Sequence, residues 1–142
     1  MESSKAERAV SGEGADDLLK TDHSTDAAVE GRGQMRKDIS NAMVGLKKQL
    51  YGKGPVKAKT FINDNLVFVV LEGGLTRNEE TLLAAGEERL VRQYRLRFQE
   101  VVAKTAHETI ERLTGCTVLT YHSQIVFDPD RTFEIFVLDR EP

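Results

Sequence analysis

The longest apolar run in the chain, Leu66–Leu71, constrains the fold more than any other feature of the sequence. Its length suits a buried β-strand, whereas a membrane-spanning helix needs about 20 apolar residues. Because the run is almost continuous, it predicts a central strand that is covered on both faces. We therefore expect a fold built around a sheet, with no transmembrane segment.

Turn-forming residues around this run predict three further strands. Asn63–Asn65 separates the run from Val56–Ile62, which mixes β-branched residues with lysines, so the two segments are typical of a β-hairpin. Near the end of the chain, Asp128–Asp130 favours a turn between a strand that begins at Cys116 and a last strand around Phe133–Val137. The strands are thus predicted in two pairs.

Apolar residues at helical spacing predict three helices. The first begins near Met35 and ends at Gly52, with Lys47 and its neighbouring lysines off the apolar stripe. A capping box of Thr76 with Glu79 opens a short second helix. The third runs from about residue 87 to 113, and its predicted core stripe consists of Leu90, Tyr94, Phe98, Val101, Val102, Thr105, Ile110 and Leu113.

The element order is therefore α-β-β-α-α-β-β, which is typical of an α+β fold. Short turns between consecutive strands favour a mostly antiparallel sheet of about four strands with the helices packed on one face. We assign this single domain to residues 35–142. Residues 1–34 are rich in Ser, Gly, Asp and Glu and carry a net charge of −4, so we expect a disordered acidic tail.

Composition excludes some classes of function. Residues 35–142 carry a net charge of only +1, so we expect no nucleic acid as a partner. The chain has one cysteine, Cys116, and no apolar segment near its first residue, which favours a cytoplasmic location. No cofactor is predicted.

Two glycine-containing loops are the strongest candidates for ligand binding. Gly52-Lys53-Gly54 lies close to Lys57 and Lys59, so these lysines are predicted to form a basic patch. Gly73-Gly74 precedes the helix that Thr76 caps, where backbone N–H groups bind anions. For both loops, a purely structural role in helix capping and tight turning is the competing interpretation.

Residues typical of catalysis form no recognisable constellation. His107 and Glu111 lie four residues apart on the third helix, but a zinc-protease pattern needs a second histidine at the later position. His122 with Asp128 and Asp130 is a second loose cluster, and turn formation explains both aspartates. The arginines at 89, 92, 95 and 97 are interpreted as a solvated helix face. We predict no catalytic residue and no metal ligand, and an enzyme or metal protein stays as an alternative.

Two stretches of the sequence resemble the MpsC family, which is named for a sodium-translocating, membrane-potential-generating system in bacteria. The first extends from Gly52-Lys53-Gly54-Pro55 through Ile62-Asn63-Asp64 and Leu71-Glu72-Gly73-Gly74-Leu75-Thr76 to Phe98-Gln99. The second includes Leu113-Thr114-Gly115, Asp128-Pro129-Asp130 and Glu134-Ile135-Phe136-Val137-Leu138. The likeness covers about residues 35–140.

The resemblance implies a non-catalytic accessory or regulatory module of a membrane system that transports ions or inorganic carbon. Such a module would lie at the inner face of the membrane through a membrane transport partner. A free-standing domain that binds a small anion is the alternative, and a homodimer through an open sheet edge is also compatible with the sequence. The candidate ligand- or partner-binding residues are Gly52, Lys53, Gly54, Lys57, Lys59, Asn63, Asp64, Gly73, Gly74 and Thr76.

Overall fold

A computed structural model describes the backbone of residues 2–142 and the side chains of residues 26–142. The chain divides into two units, Met1–Gln34 and Met35–Pro142. The first unit contains the beginning of α1, the helix Glu2–Tyr51. The predicted helix thus starts earlier than Met35, and the expectation that residues 1–34 are disordered in solution stays a prediction.

The second unit has the predicted α+β order. After α1 come β1 (Lys57–Asn63), β2 (Leu66–Glu72), α2 (Arg77–Ala84), α3 (Glu88–Thr114), β3 (Val118–Val126) and β4 (Arg131–Leu138). The sheet order is β1-β2-β4-β3, and all neighbouring strands are antiparallel. Gly52 and Gly115 end α1 and α3 in the left-handed conformation, as predicted.

The core lies between one face of the sheet and the helices. Ile39 and Met43 of α1 and Ile110 of α3 form one cluster with Val67 of β2 and Phe136 of β4, and all five are fully buried. Strand residues alternate between two faces, so Phe68 and Val70 point to the opposite side. For the described residues, the prediction that β2 is covered on both faces is therefore wrong: β2 is central, but the helices of residues 35–142 cover only one face.

The predicted core stripe of α3 is correct toward its end, where Ile110 is fully buried and Leu113 packs against the core, but it is displaced around the helix in the first part of α3. Leu90, Tyr94 and Val101 are 50%, 52% and 73% exposed, whereas the buried positions include Arg95 and Gln99. The displacement arises because the inward face of α3 carries polar side chains that form hydrogen bonds and ion pairs in the core. A pattern of apolar residues does not predict the burial of such side chains.

Candidate functional site

Two buried ion pairs lie between the sheet and the helices. Lys47 Nζ of α1 is 2.6 Å from Glu134 Oε1 of β4, and Arg95 Nε of α3 is 2.6 Å from Glu79 Oε2 of α2. The sequence-based placement of Lys47 and Arg95 on solvated faces is wrong for both residues. Each charge is compensated at close range, which offsets part of the cost of burial, and Glu134 Oε2 has no hydrogen-bond partner among the described residues.

The N-terminus of α2 holds the carboxylate of Glu79. The capping box is present as predicted: the Glu79 N–H donates to Thr76 Oγ1, and the Thr76 N–H donates to Glu79 Oε1. Burial alone would raise the pKa of Glu79, but hydrogen bonds from Arg95 and Thr76 outweigh it and hold the pKa below its ordinary value. The anion at this helix end is thus one of the protein's own side chains.

Hydrogen bonds to neighbouring residues fix the Gly73-Gly74 loop in place. The Gly73 N–H donates to Asp130 O, and Gly74 O accepts from Arg95. Both glycines have positive φ, and a Cβ at Gly74 would lie 3.2 Å from the backbone nitrogen of Pro55. A side chain at Gly74 would adopt a strained backbone conformation and press against Pro55, so glycine suits this close approach of the two loops best.

A small cavity of about 10 Å³ lies where these loops meet, and its size suits one water-sized occupant. Its lining includes Lys47, Tyr51, Lys53, Gly73, Gly74 and Arg95. The Arg95 guanidinium lies 4.4 Å from the centre of the Tyr51 ring. The buried Tyr51 hydroxyl has no hydrogen-bond partner among the described residues, and burial raises its pKa above the ordinary value, so it stays a neutral donor.

A polar chain continues from the Lys47–Glu134 pair toward β3. The Tyr121 hydroxyl is 2.9 Å from Glu134 Oε1 and 2.6 Å from Gln99 Oε1, and its single proton can be donated to either oxygen. Burial, followed by the nearby Glu134 carboxylate, raises the pKa of Tyr121 above its ordinary value. These hydrogen-bonded side chains therefore keep the charges of Lys47 and Glu134 within the core, away from solvent.

The face of the sheet away from the helices forms a second surface, which we call the open face. Its centre is aromatic, because the Phe68 ring lies 6.1 Å from Phe61 and is stacked at 5.9 Å on Phe133. Lys59 places its Nζ 5.0 Å from the centre of the Phe61 ring, and Lys57 is exposed two residues earlier. Within residues 26–142, no helix packs on this face.

The structure separates the sequence-predicted site residues into groups. Lys53, Gly73 and Gly74 meet at the small cavity, and Lys53 also lies 3.8 Å from Glu80. Lys57 and Lys59 lie on the open face instead, so the predicted lysines do not form one patch. The remaining predicted residues have structural positions: Gly52 and Gly54 follow α1, Thr76 caps α2, and Asn63 and Asp64 lie at the β1–β2 turn.

The turn residues and the glycine loops lie at opposite ends of the same hairpin. Lys57 pairs with Glu72 next to the glycine loop, and Asn63 pairs with Leu66 at the turn. At about 3.3 Å per residue, the two ends are roughly 20 Å apart. A ligand role for any of these residues stays a prediction.

Sequence reasoning missed the buried charges. Glu134 carries no signal for burial, because Phe133, Ile135 and Val137 alternate with it and make the opposite face of the strand the more apolar one. Arg95 has a weak signal, since it is four residues from both Val91 and Gln99 on the inward face of α3.

The residues of the metal alternative have other contacts. The His107 ring packs edge-on against Tyr121 at 5.7 Å, and Glu111 Oε2 accepts the Val118 N–H at 2.9 Å. Among the described residues, no group of three potential ligands is arranged to hold a metal ion. None of the described helices combines the length and apolar character that crossing a bilayer requires.

Comparison with known proteins gives one family and two relatives. A family described as the Na+-translocating membrane potential-generating system (MpsC) matches residues 31–140. The uncharacterized protein YrhF of Bacillus subtilis is 30% identical over 98 residues, which cover 68% of this chain and 80% of the relative. The uncharacterized protein YbcI of the same organism is 27% identical over 97 residues, covering 68% and 78%. No solved structure matches.

Proposed function

The chain belongs to the MpsC family, and from this premise we propose that it is a non-catalytic accessory or regulatory module of a membrane system that transports ions or inorganic carbon. It acts from the cytoplasmic side by docking onto a membrane transport partner. The observation that supports this proposal most directly is the open face of the sheet, which is apolar at its centre and basic along β1.

The open face has the composition of a docking surface. Besides the three phenylalanine rings, Ile135 and Val137 of β4 lie on this side and are only partly buried. Contiguous apolar residues at a protein surface, bordered by polar ones, are typical of interaction sites. An aromatic centre with charges at its border is the usual anatomy of a protein interface.

Charge along one border indicates the kind of partner surface. Lys57 and Lys59 are exposed on the β1 border, while the Glu72 carboxylate next to them lies 3.3 Å from Arg131 Nη2. On this border, Arg131 is thus paired, whereas Lys57 and Lys59 have no ion-pair partner in the described part of the chain. They fit a partner surface with an apolar centre and acidic groups at its rim.

The buried charges support a non-catalytic role. Lys47 is paired with Glu134, and Arg95 with Glu79, each at 2.6 Å inside the core. A catalytic acid or base has to reach a reacting atom, and these four groups are oriented toward their ion-pair partners instead.

Charge reversal tests the docking surface. The variant K57E/K59E should lose the membrane partner in pull-down experiments from host membranes, because acidic residues then face an acidic rim. The matched control K37E/K104E changes the net charge equally at exposed positions on α1 and α3. Equal recovery of the partner with K57E/K59E and with the control would refute docking through the β1 border.

A free-standing site for a small anion is the second candidate function. The specific observation is the unpartnered Tyr51 hydroxyl, which lines a water-sized cavity with Lys47, Lys53 and Arg95. A halide or another water-sized anion should then raise the melting temperature of the wild type more than that of Tyr51→Phe at constant ionic strength. Identical shifts for both proteins would eliminate this site.

A further inference from the structure

The two edges of the sheet differ in how they are protected against further strand pairing. β1 forms one edge and carries Lys57 and Lys59, and lysines on an edge strand oppose pairing with another chain. β3 forms the other edge, and its sequence VLTYHSQIV contains no Asp, Glu, Lys, Arg or Pro. In the part of the chain that the structure describes, β3 is therefore the edge without charged residues or proline, and its register shift between Val118 and Thr120 affects only the beginning of the strand.

Hydrogen bonds in β4 define which backbone groups of β3 face outward. The Leu138 N–H bonds toward β2, and the Asp139 N–H bonds toward β3. Since these directions alternate along an antiparallel strand, Ile135 points its backbone groups at its β3 partner, His122. The backbone groups of Tyr121 and Ser123, on either side of His122, therefore point away from the sheet.

Side chains of α3 cover both ends of this edge but leave its centre open. Glu111 accepts the N–H of Val118 at one end, and Arg92 donates to the carbonyl oxygen of Ile125 at the other. Nothing in the described part of the chain bonds the outward N–H and C=O groups of Tyr121 and Ser123. Unpaired backbone groups on an uncharged edge are a template for another strand.

A groove runs beside the same open segment. It has a volume of about 330 Å³ and lies between α3, with Leu96, Gln99 and Ala103, and β3, with Tyr121 and Ser123. Gln99 is only 3% exposed, and its Nε2 has no hydrogen-bond partner among the described residues. A buried amide without a partner beside an unpaired edge indicates a site that a further chain segment completes.

We propose that β3 pairs with β3 of a second copy of this chain, in antiparallel register about a two-fold axis at His122. The open segment is symmetric about this residue, so the Tyr121 N–H of one copy donates to Ser123 O of the other, and the Ser123 N–H donates to Tyr121 O. The axis places the two His122 side chains opposite each other on the open side of the sheet.

The two edges together favour a closed dimer. Pairing of β3 with β1 of another copy would add copies without limit, and the lysines of β1 oppose it. Pairing of β3 with itself uses the same surface on both copies and leaves the guarded β1 strands at the outer edges. The arrangement is independent of what docks on the open face, so either proposal can fail alone.

Sedimentation velocity of the purified full chain across the micromolar range tests this dimer. The wild type should be a dimer, and His122→Lys should weaken association by about tenfold or more, because two like charges then lie directly opposite. His122→Glu should do the same. The control V101K adds a lysine at an exposed position of α3 and should remain a dimer.

Mixing the two charged variants distinguishes a lost interface from a lost fold. At a concentration where the wild type is a dimer, H122K and H122E should each associate more weakly than the wild type, yet form a heterodimer when combined, because opposite charges then meet across the axis. A wild type that stays monomeric throughout the concentration range overturns the proposal. This holds even if a strand of another protein occupies the β3 edge instead. An H122K variant that dimerises as tightly as the wild type also overturns it.

Discussion

Arg95 and Glu79 form a buried ion pair in which the guanidinium Nε lies 2.6 Å from the carboxylate Oε2, with 5% and 4% of the side chains exposed. Arg95→Met leaves the carboxylate buried without its cation. The expected loss in the free energy of unfolding is about 3–5 kcal/mol, measured by urea denaturation. The control Arg97→Met removes an exposed pair with Glu100 and should cost less than about 1 kcal/mol. Similar losses would contradict this account.

The same pair makes stability depend on pH. The pKa of Glu79 is lower in the folded state than in the unfolded state, so its contribution is fully present above the unfolded pKa. That contribution is lost as the pH falls through the folded pKa. The difference in unfolding free energy between wild type and Glu79→Gln should thus be constant near neutral pH and shrink below about pH 4.5. A difference that does not change with acidification would contradict the assignment.

The hydroxyl of Tyr121 connects Gln99 to the Lys47–Glu134 pair. Tyr121→Phe removes the hydroxyl but keeps the ring, which stacks on Phe136 at 4.7 Å. Because polar groups then lose a buried partner, the expected cost is about 1–3 kcal/mol in chemical denaturation. Tyr94→Phe, at a position 52% exposed, serves as the control and should change stability little. Equal effects would show that the Tyr121 hydroxyl is not part of a buried network.

Gly74 and Gly86 separate the effect of close packing from that of backbone conformation. Both have positive φ, at 93° and 83°, but a Cβ at Gly86 meets nothing within 4 Å. Gly86→Ala should cost about 1–2 kcal/mol from the left-handed conformation alone. Gly74→Ala adds a contact with the backbone of Pro55 and should cost about 1–3 kcal/mol more by thermal unfolding. Equal costs would mean that the two loops separate easily.

The element order and the cap residues could be predicted from the sequence because they depend on local chemistry. The apolar run of β2, the capping box of Thr76 and the left-handed end at Gly115 each follow from residues close in the chain. The faces of the elements depend on distant partners. Whether β2 is covered on one side or two is decided by how many helices reach the sheet, which its own sequence does not encode.

The buried charges show the same limit for the candidate site. Arg95 occurs among arginines 89, 92 and 97, and composition does not distinguish it from them. Only its approach to Glu79 and to Gly74 O makes it a core residue. The open face could not be predicted from the sequence either, because Phe61, Phe68 and Phe133 come from three strands and become neighbours only through the sheet register.

Co-purification tests the proposal that this chain docks onto a protein of a membrane transport system. The tagged protein would be recovered from its own host in mild detergent, and the recovered proteins would be identified and quantified. We expect an integral membrane transport protein in stoichiometric amount. Recovery of the chain without any membrane protein, under conditions in which its host uses the transport system, would contradict it.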